Sequence, residues 1–278
     1  MILNWTTTQK QRLKELSAPV ELQNKTFQNS FERDEDFLSI VQGLVKHNKN
    51  NLNEITSTSH RPLICKLESM VTDCLIKSEF TQVFTPLFMS KSALAKMSID
   101  EHHSLYQDLF WIDKNKCLRP MLAPNLYQVL YNFSRLLDRP IRIFEVGPCF
   151  RRDSSGKYHL NEFTMLNFAE MGAKGKEGME RLTELADIII QACGIDNYSL
   201  NKSNCDVYGD TIDVIVKDIE VASGVIGPHP LDSKWKINEP WIGIGFGLER
   251  LALVKGGHQN IHGIGRSLTY FDGIRLNI

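Results

Sequence analysis

The sequence predicts an α+β fold, an antiparallel β-sheet flanked by helices. Three patterns carry that expectation. In RPLICKLESMVTDCLIKS, Leu63, Leu67, Val71 and Leu75 recur every four residues, the spacing of one helix face. In FEVGPCFRRDSSGKYHLNEFTMLNF, Phe144 to Phe168, two extended runs flank a loop containing Ser and Gly, which predicts a hairpin. In PWIGIGFGLERLALVKGG, a strand with alternating glycines runs straight into a helix.

The elements follow in chain order. Residues 6–17 and about 29–48 carry helical patterns, the second with apolar Phe37, Leu38, Ile40, Val41, Leu44 and Val45. NKNNLNEITSTSH, 48–60, is polar and reads as a connector. The 61–78 helix comes next, then an extended FTQVFTPLFMS, then an irregular stretch over 88–107. A helix starts near Pro124, where the fixed φ of proline suits a first turn. Beyond the hairpin, Met179, Leu182, Ala186, Ile189 and Cys193 predict a helix over 176–193, stopped by Gly194. Two strands are expected over 205–226, and the closing strand–helix over 240–257.

Composition narrows the function. The 278 residues suffice for one large domain or two small ones. No apolar run approaches the ~18 residues of a membrane span, and the polar N-terminus lacks a secretory core. Six scattered cysteines without a CxxC pair suit a reducing cytoplasm. The net charge of −1 excludes a uniformly basic nucleic-acid binder. Between Lys114 and Lys157, however, nine Lys/Arg face three acids. That balance suits either a polyphosphate or RNA site or an ordinary solvated face.

Strand alternation assigns faces within the hairpin. Arg151 and Arg152 must point to opposite faces, so one of them at most serves a given site. Phe163, Met165, Asn167 and Ala169 share a face that offers an aromatic plate, an amide and room. An edge hairpin with exposed arginines and a hydrogen-bonded core Asn reads equally well from this stretch alone. In the last strand Trp241, Gly243, Gly245 and Gly247 share one face, which would let backbone approach a ligand. Arg250 follows in the first helical turn, where phosphate binds well. A dinucleotide fingerprint fails, because Arg250 would occupy its third glycine; a P-loop is absent. In DIEVASGVIGP, Glu220 shares parity with Ala222 and Gly224, so it is either a Mg²⁺ ligand or a solvated acid. Ser223 would join it only through a bulge. His258 and His262 stand four apart in glycine-rich sequence, a weak zinc pattern.

Taken together, the helix into FTQVFTPLF, the strand–Arg–loop–Phe hairpin and GFGLER resemble motifs 1, 2 and 3 of class II aminoacyl-tRNA synthetases. LRPMLAPNLY, the hairpin, VYGDTIDV and GPHPLDSKWKINEPWIGIGFGLERL are similar to the pyrrolysyl-tRNA synthetases within that class, over about 60–275. The resemblance implies an N-terminal helical segment at 1–58 and a class II catalytic domain at 59–278 that dimerises around 61–87. It implies the form with no separate N-terminal tRNA-binding domain. It also implies ATP and Mg²⁺, pyrrolysine or a related Nε-acylated lysine as substrate, and the pyrrolysine tRNA as partner.

Site residues follow from the same resemblance. Arg151 would grip the ATP α-phosphate and the amino-acid carboxylate, and Arg250 the γ-phosphate. Phe163 would stack on adenine, with His159 and Leu160 near ATP. Glu220 and Ser223 would hold Mg²⁺ with ATP. Asp153 stands where motif 2 carries Glu, one methylene shorter. The amino-acid pocket would comprise Ala123, Leu126, Tyr127, Leu130, Asn167, Ala169, Val225, Trp241, Gly243 and Gly245, with Tyr208 on a mobile lid. Asn167 would bond the side-chain amide carbonyl of the substrate. A tRNA-independent ligase on the same scaffold and a non-catalytic binding paralogue are the alternatives. Retention of Arg151, Glu220 and Arg250 argues against the second.

Overall fold

A computed structural model describes residues 2–153, 156–172, 178–258 and 260–276. Ser154 and Ser155 of the hairpin loop, and 176–177 at the start of the expected 176–193 helix, lie outside the described residues. Two compact units form, Leu63–Ile261 and Met1–Pro62 with His262–Ile278.

The larger unit is built on a seven-stranded sheet. Its strands are β1 (Thr81–Gln82), β2 (Ile141–Phe150), β3 (Glu162–Met171), β4 (Ser199–Cys205), β5 (Gly209–Val216), β6 (Ile219–Ile226) and β7 (Trp241–Gly247). Their spatial order is β1-β2-β3-β7-β6-β5-β4, antiparallel throughout except for the parallel β1–β2 pair. One face carries Phe144, Phe168, Ile244 and Phe246, all buried. Phe168 and Phe246 stack there at 6.3 Å. The helices Leu63–Lys77, Gly178–Ala192 and Leu248–Gly256 cover this face with Leu67, Val71, Leu182 and Leu251. The opposite face holds Ile143, Ala169, Val225 and Trp241, partly covered by the Ala123–Ser134 helix through Leu126, Tyr127 and Leu130. The rest of that face opens into a cavity.

The smaller unit has its own core of Trp5, Leu13, Ala18 and Phe27. Its Thr7–Glu15 helix begins in a capping box, with Thr6 and Gln9 satisfying each other's backbone N–H. A 27-residue helix, Ser30–Thr56, starts at the Asn29 cap.

Several sequence expectations change. The long helix does not stop at 48 but runs through most of the polar connector. No Gly or Pro occurs between residue 48 and Pro62, and Leu52 and Ile55 continue the helix's apolar stripe. The irregular 88–107 stretch contains a strand, Phe88–Ser90, and two short helices, Lys91–Lys96 and Ser104–Gln107. Elements this short carry no readable period. The two strands expected over 205–226 form as β5 and β6, and a further strand precedes them: SLNKSNC forms the sheet edge at β4, where residues need not be apolar. The cationic stretch is not one surface either. Arg119 is wholly buried against Glu145 at 2.6 Å, Arg142 pairs with Glu170 and Glu79, and Arg139 pairs with Glu239.

All six cysteines are free thiols. Burial pushes Cys149 and Cys193 up to about 12 and Cys117 to about 11. Among the described residues no helix is long and apolar enough to cross a membrane.

Candidate active site

A cavity of about 600 Å³ lies on the open sheet face, and a smaller apolar pocket of about 50 Å³ adjoins it. The two share Ala123, Asn167, Tyr208, Ser223, Val225 and Gly245, so they form one continuous cleft.

Arg151 enters the cavity because it continues the β2 alternation of Ile143, Glu145 and Cys149, opposite Ala169, Asn167 and Phe163 of β3. Its Nε donates to the Pro120 carbonyl at 2.9 Å, and its guanidinium lies 5.4 Å from the Phe163 ring centre. Burial holds Arg151 below the ordinary arginine range, and the nearby charge of Arg250 acts the same way. An arginine nevertheless keeps its proton in a protein, so the cavity holds a fixed cation with poor solvation. Arg152 points away, is exposed, and lies over Phe110 at 5.2 Å.

At the far wall, the Leu248–Gly256 helix starts at Gly247 with no side chain capping it. The Glu249 carboxylate, 1% exposed, accepts the Thr164 backbone N–H on both oxygens at 2.9 Å. That bond ties the helix start to β3 and aims Arg250 into the cavity. Arg250 Nη1 donates to the Glu220 carbonyl at 3.0 Å and lies 3.2 Å from its carboxylate. Glu220 and Ser223 do line one cavity, and the reason is a β-bulge. Glu220 faces Ile215 of β5, Ala222 faces Val214, and Val221 is the extra residue. The bulge overturns the expected parity of Glu220 with Ala222 and Gly224. A Cβ on Gly224 would meet Leu182 at 2.8 Å, on the helical side.

Ser223 Oγ donates to Asp213 Oδ1 at 2.7 Å. Asp213 lines the same cavity, and sequence reasoning missed it. Its cue was legible: TIDVIV alternates, and pairing it with VASGV sets Asp213 opposite Ser223. Glu220, Ser223 and Asp213 are hard oxygen donors, the set that suits Mg²⁺ shared with phosphate oxygens.

The smaller pocket is lined by Leu126, Tyr127, Leu130, Ala169, Trp241 and Gly243 besides the shared residues. The bare glycine strip has a different cause from the one expected. A Cβ on Gly243 would stand 2.8 Å from the Trp241 ring, and one on Gly245 would stand 3.0 Å from the Asn167 amide. The glycines make room for these two side chains. Asn167 Oδ1 is buried with no hydrogen-bond partner. A polar atom so placed costs about 1–3 kcal/mol unless a ligand satisfies it.

The β4–β5 turn carries Tyr208 over both spaces. His229 Nε2 donates to the Tyr208 carbonyl at 2.7 Å, and Ser104 Oγ donates to Asp206 Oδ2 at 2.6 Å. Burial pushes the Tyr127 and Tyr208 hydroxyls far above the usual phenol value, so both stay protonated. At the cavity mouth Asp153 lies 3.4 Å from His159 Nδ1, beside Leu160.

Comparison with known proteins adds to this geometry. The family model described as phenylalanyl tRNA synthetase beta chain CLM domain matches residues 42–240. The crystal structure of pyrrolysyl-tRNA synthetase from Desulfitobacterium hafniense superposes with a TM-score of 0.92 at 48% identity, covering 99% of both chains. A second structure, Desulfitobacterium hafniense PylSc, a pyrrolysyl tRNA synthetase, gives 0.90 at 46% identity, covering 99% of this chain and 96% of that one. Threonine–tRNA ligase of Buchnera aphidicola subsp. Schizaphis graminum is 32% identical over 99 residues, 34% of this chain. Lysine–tRNA ligase of Laribacter hongkongensis is 28% identical over 150 residues, 51% of this chain. The chain spans 15% and 26% of the lengths of these two curated relatives.

Proposed function

The chain belongs to the pyrrolysyl-tRNA synthetases, and from that premise we propose that it joins pyrrolysine, or a related Nε-acylated lysine, to the pyrrolysine tRNA through an aminoacyl-adenylate. One observation carries the substrate reading. Asn167, whose buried Oδ1 lacks a hydrogen-bond partner, stands in an apolar pocket that opens directly onto a cavity with two arginines. A long side chain ending in an Nε-acyl amide fits such a pocket: the stem is buried against Leu126, Leu130 and Trp241, the acyl carbonyl accepts from Asn167 Nδ2, and the Nε–H is a donor of the kind Oδ1 lacks. Plain aliphatic or aromatic amino acids leave the amide unpaired.

In the first step the amino-acid carboxylate attacks the α-phosphorus of ATP, and pyrophosphate leaves. Arg151 binds the carboxylate and the α-phosphate, where negative charge accumulates. Phe163 stacks on adenine, Asp153 reaches toward its amino group, and His159 and Leu160 close the nucleotide end. Arg250 binds the γ-phosphate. Glu220 and Ser223 would hold Mg²⁺, which neutralises phosphate charge, and Asp213 fixes the Ser223 hydroxyl. Catalysis rests on position and charge and asks for no dedicated general base. In the second step the terminal ribose hydroxyl of the tRNA attacks the adenylate carbonyl, the acyl–phosphate bond breaks, and AMP leaves.

The reading extends to a cytoplasmic homodimer formed around 61–87. Phe84 there and Phe88 just beyond it are 94% and 60% exposed, apolar surface that a second copy would cover. The test is aminoacylation of the pyrrolysine tRNA with pyrrolysine and with a lysine Nε-carbamate. Charging with both, and none with lysine, is expected; charging with lysine alone contradicts the reading.

A further inference from the structure

Asp232 is 4% exposed and accepts three hydrogen bonds. Tyr127 Oη donates to Oδ1 at 3.1 Å, Trp241 Nε1 to Oδ2 at 2.9 Å, and the His229 backbone N–H to Oδ2 at 2.7 Å. These donors come from three places: the Ala123–Ser134 helix, β7, and the loop after β6. Tyr127 and Trp241 are two walls of the small apolar pocket, meeting edge to face at 5.3 Å. Neither lines the larger cavity.

Apart from that hydrogen bond, the Trp241 ring packs within the apolar cluster, edge to face on Tyr127. It lies on glycine, since a Cβ on Gly227 would stand 2.1 Å from Nε1 and one on Gly243 would stand 2.8 Å from the ring. A smooth floor permits close contact but does not fix rotation; a hydrogen bond does. Tyr127 also stacks on Trp235 at 5.4 Å with planes 10° apart, a contact that permits sliding. Three donors converging on one buried point are met by the lone pairs of the Asp232 carboxylate.

We propose that Asp232 is a positioning residue that sets the width of the amino-acid pocket by holding Tyr127 and Trp241 in fixed register. The proposal rests on the function argued above. It assigns Asp232 an effect on amino-acid binding and none on ATP, because the two side chains it holds, Tyr127 and Trp241, line the apolar pocket and not the larger cavity.

ATP–pyrophosphate exchange with a lysine Nε-carbamate tests it, using wild type, Asp232→Ala and Asp232→Asn. Asp232→Ala is expected to raise the amino-acid KM ~10-fold or more while the ATP KM stays within about twofold. Asp232→Asn keeps one oxygen for Trp241 and His229 and turns its amide toward the Tyr127 hydroxyl, which then accepts. It should therefore stay within about threefold of wild type for both substrates. An unchanged amino-acid KM in Asp232→Ala, an equal rise in both KM values, or an Asn variant as impaired as Ala would overturn the proposal. Should Asp232→Ala not fold, Tyr127→Phe removes one donor and leaves the loop intact. A rise in amino-acid KM alone then supports the proposal, and no rise overturns it. Exchange absent in wild type sinks the functional reading and this inference together; exchange present in wild type with a null result in the variants sinks only the inference.

Discussion

Arg151 and Arg250 are the two cations of the cavity whose positions depend on single backbone anchors, the Pro120 and Glu220 carbonyls. Both stand on surface facing the cavity, so truncation should spare folding. Arg151→Ala or Arg250→Ala is expected to slow ATP–pyrophosphate exchange ~100-fold or more, the usual cost of losing a donor to developing charge. Near-normal exchange with an unchanged melting curve would remove either residue from the site. At this scale the sequence was informative wherever alternation held. Parity alone separated Arg151 from Arg152 and joined Phe163, Asn167 and Ala169. It misjudged Glu220, because an extra residue at Val221 reverses parity without a sequence mark. Asp213 and Asp232 passed unnoticed, since an acid's importance there comes from partners far away in the chain.

Elements are joined on the helical side by a buried acid. Glu170 of β3 accepts from Arg142 of β2 at 2.6 Å and from Arg181 of the Gly178–Ala192 helix at 2.8 and 2.9 Å. Burial would raise its pKa, but these bonds outweigh that and hold it below its ordinary value of 4.5. A depressed carboxyl contributes stability above its unfolded pKa and loses it as pH falls through the folded one. Glu170→Gln should therefore cost about 3 kcal/mol at pH 7. Its melting temperature should also fall less steeply than that of wild type as pH drops below 4.5. Parallel acid profiles for the two proteins would show that the pair is not a determinant. Elements with strong periods, such as Leu63–Lys77 and the β2–β3 hairpin, were legible in the sequence. The continuation of the long helix to Thr56 was not, because a polar surface helix and a polar connector share composition. The same holds for β4, whose polar residues suit an edge.

Within the larger unit the sheet has two distinct faces: one packs against three helices, and the other carries the cleft proposed to bind the substrates. The exposed Phe84, Leu87 and Phe88 lie outside both. Sedimentation at micromolar concentration should show a homodimer, and Phe84→Glu should shift it toward monomer; a wild-type monomer would contradict the proposed assembly. The central claim is that one cleft joins phosphate chemistry to an amide-reading apolar pocket. Asn167→Ala tests it most directly, by comparing amino-acid-dependent ATP–pyrophosphate exchange of wild type and variant. Wild type should activate a lysine Nε-carbamate and reject phenylalanine derivatives. The variant should lose ~10- to 100-fold on the carbamate, as an unpaired amide of 1–3 kcal/mol implies, and gain on bulky aromatics. Unchanged carbamate exchange together with no gain on aromatics would make Asn167 a structural amide and contradict the account.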